Sequence, residues 1–217
     1  MKSPKKPTKK RAYHHGDLKD QLVAAAEAII LERGVDGFTL REAARRAGVS
    51  PAAPAHHFKD AKGLLSEVAL RGFKDFGDAL DAGDKRGGVD PQARLREQGM
   101  AYVKFALANP ARFQLMFRAG KFDYAYPGLA DAGMRAQGIL ARAVHAAYGI
   151  PDGEPLTPDA NGFLLATWSI VHGFAHLALG GELDGSAQGK GGKRAIVESF
   201  LPLTLQHLPV PKVPRKP

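Results

Sequence analysis

Apolar residues recur at helical spacing along almost the whole chain, and no stretch alternates apolar with polar at the two-residue period of a half-buried strand. From 17 to 33, Leu18, Leu22, Ala25, Ala26 and Ile29 trace one face, and Gly34 ends the run. Thr39 opens a second helix as its N-cap, with Glu42 three residues on in the position that reaches back to the cap's N–H. Leu40, Ala43, Ala44 and Ala47 form its apolar stripe, and Arg41, Arg45 and Arg46 lie outside it. Gly48 stops that helix, Val49 can plug the crevice behind it, and Ser50-Pro51 reads as the cap and first position of a third helix. Two short helices joined by about three residues with a turn glycine have the spacing of a helix-turn-helix, which makes double-stranded DNA the first partner to consider.

Beyond Phe58, Asp60 can cap a long helix through Leu64, Leu65, Val68, Phe73, Phe76 and Leu80, so the three-helix head runs into a larger body without a flexible linker. DAGDKRGGVD (81–90) reads as a loop, Asp90-Pro91 restarts a helix that lasts until Asn109-Pro110, and a short helix follows in PARFQLMFRAG. Residues 127–148 form another helix, Thr157-Pro158 caps an uncharged one, and residues 193–207 form the last, disturbed by Pro202. The expected fold is all-α: three helices in the head and six in the body, about nine in all, with no internal repeat. The expected division is a basic arm (1–13), a DNA-binding head (14–62), a ligand-binding and dimerisation body (63–208) and a tail (209–217).

Charge sharpens this picture. The net charge is +9, and residues 1–62 hold thirteen Lys and Arg against seven Asp and Glu. Much of the excess lies in MKSPKKPTKKR, a segment too polar to fold alone but able to neutralise phosphates. Cysteine is absent, which excludes disulfides and thiolate sites and fits a cytoplasmic protein. Residues 160–181 carry no Asp, Glu, Lys or Arg and could span a bilayer by length. They also contain Asn161, Thr167, Ser169, His172 and His176, with Trp168 mid-span, so a helix buried on all sides by protein is the better reading, and no membrane partner is expected. A helix with Phe163, Leu164, Trp168, Ile170, Val171, Phe174 and Leu177 pointing several ways needs more cover than one body supplies, which implies a second subunit.

A small basic three-helix head followed by a six-helix body resembles the TetR family of bacterial transcription regulators. Residues 14–65 resemble that family's DNA-binding domain throughout, and WSIVHG (168–173), with NPARFQLMF (109–117) upstream, is similar to the WHG-type C-terminal domain of one branch. The resemblance implies that Thr39 holds a phosphate and that Arg41 reaches a base edge, where its fork suits guanine. It implies a DNA-facing surface of Ser50, Pro51, Ala52, Ala53, His56 and His57, and a C2 homodimer through the helices around 158–180 and 193–207. Ala55 stands where the family carries a phosphate-contacting Tyr, and Ala61 where it carries a Lys; Lys59 and Lys62 flank the second gap.

His172 and His176 lie four apart on one helix, a metal-compatible spacing, but no carboxylate accompanies them there, so they read as core or interface histidines and no metal or cofactor is expected. No nucleophile, base and acid are arranged together, so the protein is expected not to be an enzyme. Tyr102, Phe105, Met116, Phe117, Tyr124, Trp168, His172 and His176 are the candidate ligand-binding set for a small hydrophobic or aromatic effector. Its polar groups are expected to meet His172, His176 or Tyr102. The resulting expectation is a homodimeric, ligand-responsive transcription regulator, most simply a repressor on a palindromic operator. The alternative is a sensor or scaffold of the same fold whose specific DNA binding is weakened by Ala55 and Ala61.

Overall fold

The computed structural model describes residues 15–186 and 192–207, so the basic arm and the C-terminal tail lie outside the described residues. The head holds α1 (His15–Arg33), a single 3-10 turn, α2 (Leu40–Arg46) and α3 (Ala53–Phe58). The body holds α4 (Ala61–Gly87), α5 (Pro91–Ala108), α6 (Pro110–Met116), α7 (Leu129–Tyr148), α8 (Pro158–Gly180), α9 (Gly192–Ser199) and α10 (Leu201–Gln206). All nine expected helices are present among the described residues. The last is divided at Phe200, because Pro202 has no N–H for the Glu198 carbonyl and its ring crowds that oxygen.

The expected caps form. Thr39 accepts from the Glu42 N–H at 3.3 Å, Asp60 from Gly63 at 2.8 Å, Asp90 from Gln92 at 3.1 Å and Ala93 at 3.2 Å, and Thr157 from Ala160 at 3.2 Å. Each fills an orphan donor of a first helical turn.

Two local expectations are corrected. Ser50 does not cap α3: residues 50–52 form a turn, and the helix begins at Ala53. That start puts Pro54 in the first turn, where a missing N–H is harmless; a helix starting at Pro51 would drive the Pro54 ring against the Ser50 carbonyl. The segment 81–87, expected as loop, is the end of α4. Lys85 pairs with Asp81 one turn earlier at 2.6 Å, and Arg94 of α5 forks onto Asp84 at 2.8 and 2.9 Å, so the polar turn is held from outside.

One apolar core runs from the head (Leu22, Ile29, Ile30) into the body (Leu64, Val68, Phe113, Leu115, Leu201), and a smaller cluster around Leu95, Val144 and Phe163 closes the far end. The α4 helix crosses from one part to the other without a break. Gly72 lets it lie close to α6, since a Cβ there would sit 2.7 Å from the Met116 sulfur.

The α8 helix is not covered on all sides within one chain. Phe163, Leu164, Thr167, Val171, Ala175 and Ala178 are buried, whereas Leu165 is 52% exposed, Leu177 46% and Trp168 39%. On the C-terminal segment Phe200 and Leu203 are also open, 39% and 53% exposed. By length and composition α8 passes for a membrane span, with a mean hydropathy of 1.4 and a third of that stretch buried in the chain.

Candidate nucleic-acid interface and body cavity

The head's basic side chains fall into two groups. Glu42, expected to reach back to its own cap, instead collects arginines. Arg45 donates to it at 2.8 Å through both Nε and Nη2, Arg46 at 2.9 Å, and Arg33 lies 3.7 Å away. The hydrogen bonds from Arg45 and then Arg46 hold its carboxyl well below the ordinary 4.5, at about 2. Arg46 also forks onto Glu32 of α1 at 2.8 and 2.6 Å. Those two arginines tie α2 to its surroundings. Arg41, Lys59 and Lys62 are exposed and have no acidic partner among the described residues, so their charge is free for an anionic ligand.

Around them, Ser50, Pro51, Ala52, Ala55 and His56 are exposed, His57 is half-buried beside the Phe58 ring, and Pro54 and Phe58 face the core. Thr39, Arg41, Ser50, Pro51, Ala52, His56, Lys59 and Lys62 thus all reach the head's surface at least in part, while His57 lies partly against the core. Lys59 has an unusual backbone, φ 66° and ψ −55°, and the Asp60 N–H bonds the Phe58 carbonyl at 2.7 Å. That is a γ-turn of the rare strained kind, centred on a non-glycine residue. The turn closes tightly enough that a Cβ on Gly63 would collide with the Phe58 carbonyl oxygen. Strain at this one lysine sets the short passage from α3 into α4.

Charged pairs fasten the head to the body. Lys19 meets Glu67 at 3.0 Å, and Arg71 bridges Glu67 at 3.0 Å and Asp20 at 2.7 Å. Tyr126 donates to the same Glu67 at 2.9 Å, and Arg112 of α6 binds Glu27 of α1 at 2.6 Å. Desolvation works against the Glu67 charge, yet the hydrogen bonds from Lys19, Arg71 and Tyr126 keep its carboxyl below the ordinary range.

The body holds a partly open cavity of about 370 Å³. Phe73, Phe76 and Leu80 of α4, Gln98 and Tyr102 of α5, Met116 and Phe117 at α6, Met134 of α7, and Leu164, Thr167 and Trp168 of α8 contribute to its wall. Tyr124 and Met134, both well exposed, belong to the same wall. Of the expected ligand set, Tyr102, Met116, Phe117, Tyr124 and Trp168 line it. Phe105, His172 and His176 do not; Phe105 packs on Phe76 with ring centres 5.1 Å apart.

His172 is engaged elsewhere. The Trp168 Nε1–H donates to the Tyr102 oxygen at 3.3 Å, and the Tyr102 hydroxyl donates to His172 Nδ1 at 2.7 Å. Indole can only donate, so this assignment satisfies all three groups and leaves the imidazole proton on Nε2. Burial supports it by raising the Tyr102 phenol and, with His176 adding repulsion, lowering the His172 imidazole. The Trp and His of WSIVHG therefore clamp a buried tyrosine. His176 lies against His172 with ring centres 4.5 Å apart, and among the described residues no three His, Cys, Asp or Glu gather as a metal site.

Gln98 and Thr167 were missed from the sequence as cavity residues. Each is 3% exposed, and Gln98 Oε1 and Thr167 Oγ1 lack a hydrogen-bond partner among the described residues. The signal was present: each is a polar residue inside an apolar stripe, Gln98 between Leu95 and Tyr102 and Thr167 between Phe163 and Val171.

Comparison with known proteins agrees with this architecture. The family "Bacterial regulatory proteins, tetR family" matches residues 22–68, and "Tetracyclin repressor-like, C-terminal domain" matches residues 95–197. A structure of a protein of unknown function from Rhodococcus sp. RHA1 is 34% identical, with a TM-score of 0.68 over 91% of this chain and 98% of that one. A regulatory protein of the tetR family, also from Rhodococcus RHA1, has a TM-score of 0.65 at 20% identity over 90% of this chain and 98% of that one. PfmR, a TetR family transcriptional regulator from Thermus thermophilus, aligns with a TM-score of 0.59 at 19% identity over 86% of this chain and 98% of that one. A search of curated proteins found no match. With both halves matched in chain order and a relative of this similarity covering nearly the whole length, the chain belongs to the TetR family of transcription regulators, non-enzymatic DNA-binding proteins.

Proposed function

We propose that this protein is a homodimeric, ligand-responsive transcription regulator that binds a palindromic operator, most simply as a repressor, in the cytoplasm. The observation that carries the reading is α4. Its first turn bears Lys62 of the basic surface, and its middle supplies Phe73, Phe76 and Leu80 to the cavity wall. The α6 segment makes a second connection, with Met116 and Phe117 on the cavity and Arg112 on Glu27 of the head. An occupant that displaces either helix tilts the head. To act as a switch it must bind the DNA-incompetent arrangement more tightly than the competent one, because equal affinity shifts nothing.

Dimerisation is supported by large apolar side chains that one chain leaves open, Leu165 and Leu177 on α8 and Phe200 and Leu203 of the C-terminal segment. Exposed apolar side chains of this size mark an interface where they gather, and a twofold pairing through them presents two heads to two half-sites. WSIVHG supports the WHG-type branch for the body. In the head we assign Arg41 to a base edge, Thr39, Lys59 and Lys62 to phosphates, and Ser50 to Ala52 with His56 and His57 to the groove-facing surface.

Selection of bound DNA from a random pool tests the reading. An inverted repeat, bound with affinity that falls steeply with salt, supports it. A pool with no inverted repeat, or binding insensitive to salt, contradicts it. The second reading, a sensor that has lost specific DNA binding, is favoured by the exposed Ala55 and by Ala61. It predicts no enrichment of any sequence in the same experiment.

A further inference from the structure

We infer that the body cavity takes an uncharged, chiefly apolar molecule bearing a hydroxyl group, an alcohol or phenol, whose O–H donates to Gln98 Oε1 and which also engages Thr167 Oγ1. The inference rests on the reading of this cavity as the effector site.

The orientation of Gln98 is fixed. Its Nε2 donates to Asp84 Oδ1 at 2.6 Å and lies 3.4 Å from the Ile139 carbonyl, and both partners can only accept. The amide therefore cannot be flipped, and the atom left unpartnered on the cavity side chain is an acceptor. Asp84 is itself pinned by the Arg94 fork, so this acceptor is held in place before any ligand arrives. Thr167, on α8, adds a second unpartnered polar atom to the same wall, and its hydroxyl can both donate and accept.

Buried polar atoms without partners are unfavourable and uncommon, and two on side chains of one cavity wall indicate what an occupant that reaches them would supply. Gln98 demands a donor. Thr167 takes either role, and a hydroxyl is the smallest group that offers both. The rest of the wall sets the remaining terms. Among the described residues no Asp, Glu, Lys, Arg or His lines the cavity, and the Tyr102 hydroxyl is already occupied by Trp168 and His172. A carboxylate would enter without a cation to pair it and would face the Gln98 oxygen with a second acceptor; the wall's other polar side chains, Gln137 and Tyr124, are neutral and exposed, so an uncharged group is favoured at Gln98.

Calorimetric titration of the full-length protein with three compounds on one skeleton reads this directly: 4-phenylphenol, 4-methoxybiphenyl and biphenyl-4-carboxylate, repeated with 1-decanol, decyl methyl ether and decanoate. On at least one skeleton the hydroxyl compound binds about tenfold tighter than its ether, the worth of one hydrogen bond to a buried acceptor, and the carboxylate binds more weakly still. Gln98→Leu erases the difference between hydroxyl and ether. Thr167→Val, nearly isosteric, weakens hydroxyl binding while raising the melting temperature of the ligand-free protein, since it removes an unpaired buried group. Equal or tighter binding of ether or carboxylate, no binding by any of the six, a preference that survives Gln98→Leu, or a lower melting temperature for Thr167→Val overturns the inference. Operator titration separates it from the effector reading. A hydroxyl compound that binds as described without weakening DNA leaves the inference standing and sinks the effector reading, whereas a carboxylate that fills this cavity and releases DNA does the reverse.

Discussion

The head and the body solve opposite problems with the same material. In the head, the groups that matter are the ones nothing in the described chain neutralises: Arg41, Lys59 and Lys62 stand in solvent while Arg45 and Arg46 are spent on Glu42 and Glu32. In the body they are polar atoms shut away from water, Gln98 Oε1 and Thr167 Oγ1, beside a Tyr102 that is fully used. The head's caps and turns are set by contacts close in sequence. They join residues two to five apart, whereas the body's decisive hydrogen bonds span 70 residues (Tyr102 to His172) and 41 residues (Gln98 to Ile139). A surface for a charged polymer needs only correct local geometry, while a selective cavity needs several helices to agree.

That contrast is open to experiment. Phe113 is fully buried, with ring contacts to Tyr102, Phe117, His172 and His176. Phe113→Ala should destabilise the protein by about 3–5 kcal/mol in chemical denaturation. A loss below about 1 kcal/mol would show that the body tolerates disagreement among its helices. Arg41→Ala should leave stability within about 0.5 kcal/mol and weaken specific DNA binding by about 1–3 kcal/mol, with relaxed preference at one base pair. An unaltered selected motif would place Arg41 on phosphate or on nothing.

Lys59→Gly sharpens the same point inside the head. Glycine accepts the positive φ of 66°, so stability should rise by about 0.5–1 kcal/mol while DNA affinity falls for all sequences alike. A destabilised variant would mean that the γ-turn carries no strain. The smallest expected effect is in pH. Glu42 is held at about 2 against an ordinary 4.5, so its contribution is present above pH 4.5 and fades as pH falls towards 2. The His172 value is depressed below 6.5, so its contribution is complete above pH 6.5 and declines as pH falls through that value. Tryptophan fluorescence reports the second from Trp168, and circular dichroism of Glu42→Gln should lack the first.

The same short-range and long-range division explains what the sequence made legible. The caps at Thr39, Asp60, Asp90 and Thr157 were readable because each is a side chain meeting a backbone N–H two or three residues on. The end of α4 was not, because Asp81, Asp84 and Lys85 resemble a loop until Arg94 is brought beside them from α5. The pairing of Arg46 with Glu32, fourteen residues away on α1, was hidden for the same reason. So was the engagement of His172 by Tyr102, which moved the open hydrogen-bonding capacity of the cavity from histidine to Gln98 and Thr167.

The central claim is that head and body are energetically coupled through α4 and α6. Fluorescence anisotropy of the selected operator with and without a cavity-bound compound, paired with calorimetry of that compound with and without operator, measures the coupling from both ends. The account predicts that the compound weakens operator binding by some factor and that the operator weakens compound binding by the same factor, a reciprocity set by linkage. A compound that occupies the cavity, loses affinity on Thr167→Val, and leaves operator affinity unchanged would contradict it.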